Sequence, residues 1–402
     1  MLTLHTFAAS HKETSKALAA IAQKINVAPI NGSFVFAFYG CHHHGDHIHT
    51  FIQKAWPTVP FVGGTSNTGL ICSGELLDEY SIGFLVIEDP DGCYGAASCN
   101  LEGDIAVNAK ATLLKALENA GCDGELPRLV WVYGAPGSEE DVITSLRSII
   151  GDHCPIMGGS SADNTVEGYW QQLGPAGITQ KGLAIGVLFP SGEVGISFQG
   201  GYQPTGISGT VTKTAAKKPH TTASRKILEI DNKPAAEVYN NWAGGIFDSA
   251  LQTGGGILQT ASLYPIAVKT GEIMGIPQYL LIHPDAISKA GALHTFAEIT
   301  EGTVVHFMEG NPDLLIERAG NVVREAISQL PESNSGLAGG IVTYCAGCKI
   351  AVDSKMPSVA NNIADNFAGL PHIGCFTFGE QGQFAGCNVH GNLMISAIIF
   401  SG

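Results

Sequence analysis

The chain has 402 residues, 45% of them hydrophobic and only 14% charged, which points to two or three compact domains rather than a disordered or fibrous protein. Its formal charge of −15 argues against nucleic acid or anionic membrane as a main partner, because both demand clustered Lys and Arg. The single basic cluster, Lys213 with Lys217 and Lys218, is short, and no apolar run reaches the roughly 18 residues of a membrane span.

The opening stretch, MLTLHTFAASHKETSKALAAIAQKI, predicts a short strand followed by an amphipathic helix over residues 1–29. A secretory leader would need a basic start and a continuous apolar stretch, and both are missing. The ten cysteines are scattered, so in a chain without such a leader they read as reduced thiols, and a cytoplasmic location is expected.

Next comes FVFAFYGCHHHGDHIH, from Phe34: an apolar strand, then five of the fourteen histidines within eight positions. Asp46 is placed to cap a helix running to about Ala55, which sets His47 in its first turn near His43 and His44. Three consecutive histidines diverge and do not all reach one metal, although one or two of them with His47 do. A haem needs one proximal imidazole and an apolar pocket; Phe38, Phe51, Ile52 and Trp56 offer apolar walls. Without Cys-x-x-Cys-His, such a haem is non-covalent. The alternatives are a metal-scavenging cluster and a solvated polar loop.

The chain then repeats itself. The segment from Phe34 and that from Leu129 each run from an apolar strand ending in Tyr-Gly, through a polar loop and a helix, to Pro, two apolar residues and Gly-Gly. Thr65-Ser66 follows in the first and Ser160-Ser161 in the second. A looser third copy starts at Gly340, with Tyr344 ending its strand and Leu370-Pro371-His372-Ile373-Gly374 at the glycine step. Each copy precedes a further strand: SIGFLVIED, GLAIGVLFP and NLMISAIIF. The alternation predicts an α/β fold of strand–loop–helix–strand units with helices packed on mixed sheets. Ligands of such folds favour the loops at strand carboxyl ends.

Between the second and third copies the texture is strand-rich. A helix is expected near Pro234 to Trp242 and another from about Pro312 to Ile327, capped by Asn311. The domain boundary is placed near residue 222. In the third copy, Cys345 ends a buried strand, where a thiol meets a bound ligand. Cys345-x-x-Cys348 has the spacing of a redox pair or half a zinc site, and with Glu380 and His390 it also suits a thiol-based catalytic group; a buried structural cysteine is the plainer reading, as for Cys375 and Cys387. Glu75 and Glu380 each follow a glycine in comparable places, where an acid orients a ligand's amine or caps a turn. His283, His294 and His306 read as ordinary surface or core residues.

Four stretches in this order, PFVGGTSNTGLICSGEL, ILEIDNKPAAEVY, ITEGTVVHFMEGNPDLL and LPHIGCFTFGEQG, resemble the FIST family, whose FIST N and FIST C domains stand in tandem. The likeness runs from about residue 30 to 400, with FIST N over 30–221 and FIST C over 222–402. One departure is visible: the family's C-domain strand usually ends in Cys-x-x-Arg, where this chain has Cys345-Ala-Gly-Cys348-Lys349. The resemblance implies an intracellular sensory protein that binds a small ligand and is not an enzyme. Within the family, the nitric-oxide-sensing NosP type binds haem b and regulates a histidine kinase or a cyclic-di-GMP enzyme in trans. The stand-alone layout resembles that type, with His44 as axial ligand ahead of His43 and His47, and a homo-oligomer is compatible with it. The alternative is an amino-acid-like ligand held by Glu75, Glu380 and backbone groups, with Cys345 against it; a thiol- or metal-dependent enzyme comes third.

Overall fold

A computed structural model describes residues 1–216, 225–331 and 336–402. The expected boundary near residue 222 and two of the three basic-cluster residues, Lys217 and Lys218, lie outside the described residues.

Every repeat is longer than its sequence signature, because a strand and a helix precede it. Unit 1 opens with strand Thr3–Ser10 and helix Thr14–Val27, then runs through strand Phe34–Tyr39, helix Gly45–Ala55, strand Phe61–Thr65, hairpin Leu70–Cys72/Glu75–Leu77 and closing strand Ser81–Glu88. Unit 2 repeats that order from Cys93–Asn100 and Ile105–Ala120 through Leu129–Gly134, Glu139–Ile150, Ile156–Ser160 and hairpin Gln172–Gly174/Gly177–Thr179 to Gly182–Phe189. Unit 3 starts with strand Val194–Gly200, is interrupted by residues 201–311, and resumes at helix Pro312–Ser328. It continues through Leu337–Cys345, helices Ala346–Val352 and Met356–Phe367, His372–Thr377, hairpin Glu380–Phe384/Cys387–Gly391 and Met394–Ser401. Asn311 caps the resumed helix, accepting from the Asp313 amide, with Pro312 in its first turn, where a missing N–H costs nothing.

Each unit builds a six-stranded mixed sheet, but completes it with a hairpin borrowed from another unit. The unit 2 hairpin pairs with Phe61–Thr65, the unit 3 hairpin with Ile156–Ser160, and the unit 1 hairpin with His372–Thr377. The exchange closes in a ring. At its centre three backbone bonds repeat the same cycle: Asn67 N–H to Phe376 O, Ala162 N–H to Thr65 O, and Phe378 N–H to Ser160 O, at 3.0, 3.0 and 3.1 Å.

The sheets face one another inward and carry helices outward. Phe34, Phe36 and Phe38 point into a shared core with Trp131, Tyr133, Ile341, Cys375 and Phe400. The alternate residues Val35, Ala37 and Tyr39 pack beneath Ala17, Ile21, Ile48 and Ile52 of the unit 1 helices. A strand buried on both faces has no polar side to show, which is why FVFAFY reads as unbroken apolar sequence. The ladders also refine the repeat alignment. Tyr39 stands opposite Thr65, whereas Gly134, not Tyr133, stands opposite Ser160, so the two Tyr-Gly ends are offset by one residue.

Residues 201–311 form a separate nine-stranded sheet around its own core of Val211, Ile230, Tyr239, Ile266 and Phe307, with helix Ala235–Trp242 against it. No helix among the described residues is long and apolar enough to cross a membrane.

Candidate ligand pocket

Residues that follow the parallel strands of all three units meet at one cavity, and those of units 1 and 2 are mainly polar. There the inserted segment folds over the core and leaves a cavity of about 460 Å³. Asn67 and Thr68 of unit 1, Asn164 to Val166 of unit 2, and Cys345 to Lys349, Phe378 and Asn392 of unit 3 line it; Leu258, His283 and Phe296 of the insertion complete it.

Lys349 is the cation of this cavity. Its Nζ donates to the carbonyls of Asn67 at 3.2 Å and Thr68 at 3.0 Å and to Thr68 Oγ1, and lies 4.0 Å from the centre of the Phe376 ring. No carboxylate among the described residues comes within ion-pair distance of it, and burial lowers its pKa to about 7. The wall formed by Asn164 to Val166 is fixed by Asp163. That fully buried carboxylate accepts from the amides of Thr165, Val166, Glu167, Gly168 and Tyr169 at 2.5 to 3.1 Å. Asn164 Oδ1 in turn accepts from the Thr68 amide at 2.8 Å, linking the unit 2 wall to the oxygens that hold Lys349.

Of the residues singled out from sequence, Cys345 lines the cavity and Glu380 lies just beneath it, fully buried. Burial pushes both the thiol and the carboxyl well up, so at neutral pH Cys345 offers no thiolate and Glu380 no charge. Glu380 accepts from Thr377 Oγ1 at 2.7 Å and from the Met394 amide at 3.2 Å. Glu75 is exposed on the unit 1 hairpin opposite Cys72 and does not line the cavity. Cys348 is buried against the Tyr202 hydroxyl. His390 turns away to Glu140, 3.0 Å from its carboxylate. His283, read from sequence as ordinary, faces the cavity; its Nε2 lies 3.1 Å from the Leu258 carbonyl, and burial depresses it to about 4.

The family models match the FIST N domain over residues 33–233 and the FIST C domain over residues 235–383. The chain belongs to the FIST family. FIST domains are sensory modules for small ligands, which favours a sensory over a catalytic role for this protein. No curated protein matches the chain. Among solved structures, cyanuric acid hydrolase from A. caulinodans aligns over 99% of both chains at 10% identity and a TM-score of 0.37. PurLQS from Thermotoga maritima aligns over all of this chain and 72% of its own at 11% identity and a TM-score of 0.22. Both likenesses are too remote to bear on function.

In this FIST protein the histidine cluster does not converge. His43 is buried with both ring nitrogens engaged, Nδ1 with Thr14 Oγ1 at 3.1 Å and Nε2 with the Tyr80 carbonyl at 3.0 Å. His42 points to Glu79 and Asn164, and His49 to the Pro175 carbonyl. His44 is exposed at the cap position of helix Gly45–Ala55, which starts two residues earlier than the capping role read for Asp46 would have it. His47 is exposed beside it, with the two rings 5.2 Å apart. It also borders a second cavity, an open groove of about 690 Å³ between the two unit 1 helices, floored by Leu18, Ala22, Ile25 and Phe51. Among the described residues, one group of three has metal-ligand spacing, Glu139, Glu140 and His390, and the Arg225 guanidinium already sits on both carboxylates at 2.6 Å.

Proposed function

We propose that this FIST protein is a sensor whose small ligand occupies the cavity between the three-unit core and the inserted segment. One observation carries the reading: the walls come from all three units and from the insertion, so occupancy bears directly on how the insertion is held against the core. A two-body cleft of this kind couples binding to the relative position of its walls, and a ligand that prefers one arrangement biases the surface offered to a partner. The volume, the amide groups of Asn67, Asn164 and Asn392, and one amine suit an amino-acid-like molecule.

The test is a thermal-shift screen with amino acids and their relatives, repeated on Thr165→Trp, which places a large ring at the exposed mouth of the cavity. A ligand at about 100 times its Kd adds about 2.7 kcal/mol of stability, a shift of several degrees. The shift should vanish in the variant; a shift that survives there would move the ligand elsewhere.

A second reading is favoured by the groove beside His47. An apolar floor with one exposed imidazole at its rim is the minimum a b-type haem requires, and haem would supply reversible nitric oxide binding. Of the three histidines singled out, His47 suits the axial role best, since His43 is committed on both nitrogens and His44 faces solvent away from the floor. In this reading the output partner is a histidine kinase or a cyclic-di-GMP enzyme acting in trans. Reconstitution with haemin should give a Soret band that responds to nitric oxide and disappears in His47→Ala. A band unchanged in that variant would sink the assignment.

A further inference from the structure

The cavity holds an imbalance of charge that its ligand must meet. Its ionisable neighbours are Lys349, Asp353, His283 and Cys345 on the walls and Glu380 and Asp163 behind them, the Asp163 carboxylate being taken up by the five amides of Thr165 to Tyr169 and forming no ion pair with Lys349. Burial keeps His283, Cys345 and Glu380 uncharged at neutral pH. Asp353 is exposed at the rim and makes no ion pair with Lys349. What remains inside is the Lys349 amine, lowered by burial to about 7 and so only partly protonated near neutrality, beside two carbonyls, a hydroxyl and an aromatic face, all of them neutral. A cation withdrawn from water without a counter-ion is costly, and an anion delivered by a ligand removes that cost. Beside its amide and hydroxyl groups the wall carries an apolar surface: Leu258 and Phe296 on the insertion side, Val166, Met356 and Phe378 on the core side.

We propose that Lys349 is the anion anchor of the cavity, and that the ligand is a small monocarboxylate with an apolar body, of the size of 4-methylpentanoate or phenylacetate. The proposal rests on the reading of this cavity as the ligand site. A single ammonium matches one carboxylate rather than a phosphate or a diacid, which would bury charge opposite amides alone. The His283 Nε2–H is directed at the Leu258 carbonyl, which leaves Nδ1 as an acceptor beside Gly347, where a Cβ would come within 3.0 Å of it. An amino or hydroxyl group next to the carboxylate finds its acceptor there.

The experiment is calorimetric titration of the full chain with 4-methylpentanoate, phenylacetate and the amide of each. The acids should bind at least about tenfold more tightly than their amides, the worth of one charge-assisted contact. Lys349→Met should bring the acids down to the level of the amides. Because Lys349 also ties together the Asn67 and Thr68 carbonyls, Asp353→Asn serves as the second variant: it leaves those bonds alone, relieves repulsion at the rim, and should tighten the acids severalfold while leaving the amides unchanged. Binding at pH 8 should also take up protons, seen as a heat that differs between phosphate and Tris buffers. Amides that bind as well as acids, acids that keep their affinity in Lys349→Met, or no binding by any of the four at about 10 mM would each overturn the anchor. Should the anchor fail while an amino-acid shift is still lost in Thr165→Trp, the cavity remains the ligand site and only its ligand chemistry is wrong.

Discussion

Two carboxylates show how burial assigns opposite jobs to the same group. Asp163 is buried and saturated by five amides, so removing it strands five donors in the wall of the cavity. Asp163→Ala should cost about 3 kcal/mol or more in urea unfolding and weaken ligand binding with it, because an orphaned buried donor costs about 1–3 kcal/mol. Glu380 is buried beside a thiol and holds its proton in the folded state. Its folded pKa is raised above the unfolded one, so the folded state binds more protons and stability falls as pH rises through the carboxylate range toward the folded value. Glu380→Gln removes that loss. The variant should be more stable than the parent at pH 8 by over about 1 kcal/mol and no more stable at pH 4, as measured by thermal melts at both. Of these residues the sequence announced Cys345 and Glu380, since each ends or opens a recognisable strand. Lys349 drew notice only as a departure from a familiar pattern. Its partners Asn67 and Thr68 lie 282 and 281 positions away, and no spacing rule spans that distance. His283 looked unremarkable because its only distinction, burial against a cavity, is tertiary.

At the scale of elements, the glycine in the middle of strand Ile156–Ser160 has a steric duty. Gly158 has φ 141°, and a Cβ there would lie 1.9 Å from the Val132 carbonyl oxygen. Gly158→Ala must push two adjacent strands apart or break the ladder, and should destabilise the chain by about 3 kcal/mol, visible as a lowered urea midpoint. The element pattern itself was readable. The strand, helix and glycine step of the first two copies stand where the repeat placed them, as do helices Ala235–Trp242 and Pro312–Ser328. Apolar runs and glycine pairs are local signals, and local signals survive in a single sequence. The destination of each hairpin was not readable, because Leu70–Cys72 carries the same short apolar pattern whichever sheet it joins. Nor did the histidine run reveal its divergence: His43 lies in the bend before the helix, and only the Thr14 and Tyr80 partners show that its ring turns inward.

At the scale of the molecule, the insertion is held to the core by more than the cavity walls. Arg225 is buried between Glu139 and Glu140 at the start of a unit 2 helix, and His390 of the unit 3 hairpin meets Glu140 from the other side. Burial alone would raise both carboxyls, but Arg225 and His390 outweigh it and hold them below the usual carboxylate range. Their contribution is present above the unfolded carboxylate pKa and is lost as pH falls through and below it. Arg225→Met, which leaves two carboxylates buried without their cation, should cost about 3–5 kcal/mol at pH 7, and adding Glu139→Gln and Glu140→Gln should recover most of it. Denaturant melts of the single and triple variants decide the matter; an Arg225→Met chain as stable as the parent would show that the cluster does not hold the two bodies together.

The ring of exchanged hairpins also has a consequence in time. During synthesis the unit 1 hairpin emerges early, yet the strand it must join, His372–Thr377, is made roughly 300 residues later. Until then the ring is open, one sheet edge is bare, and the nascent chain carries an adhesive strip with no home. A ribosome pause before His372–Thr377 emerges would therefore hold the protein at an aggregation-prone point, and a chaperone that shields strand edges would matter most for this chain over that interval.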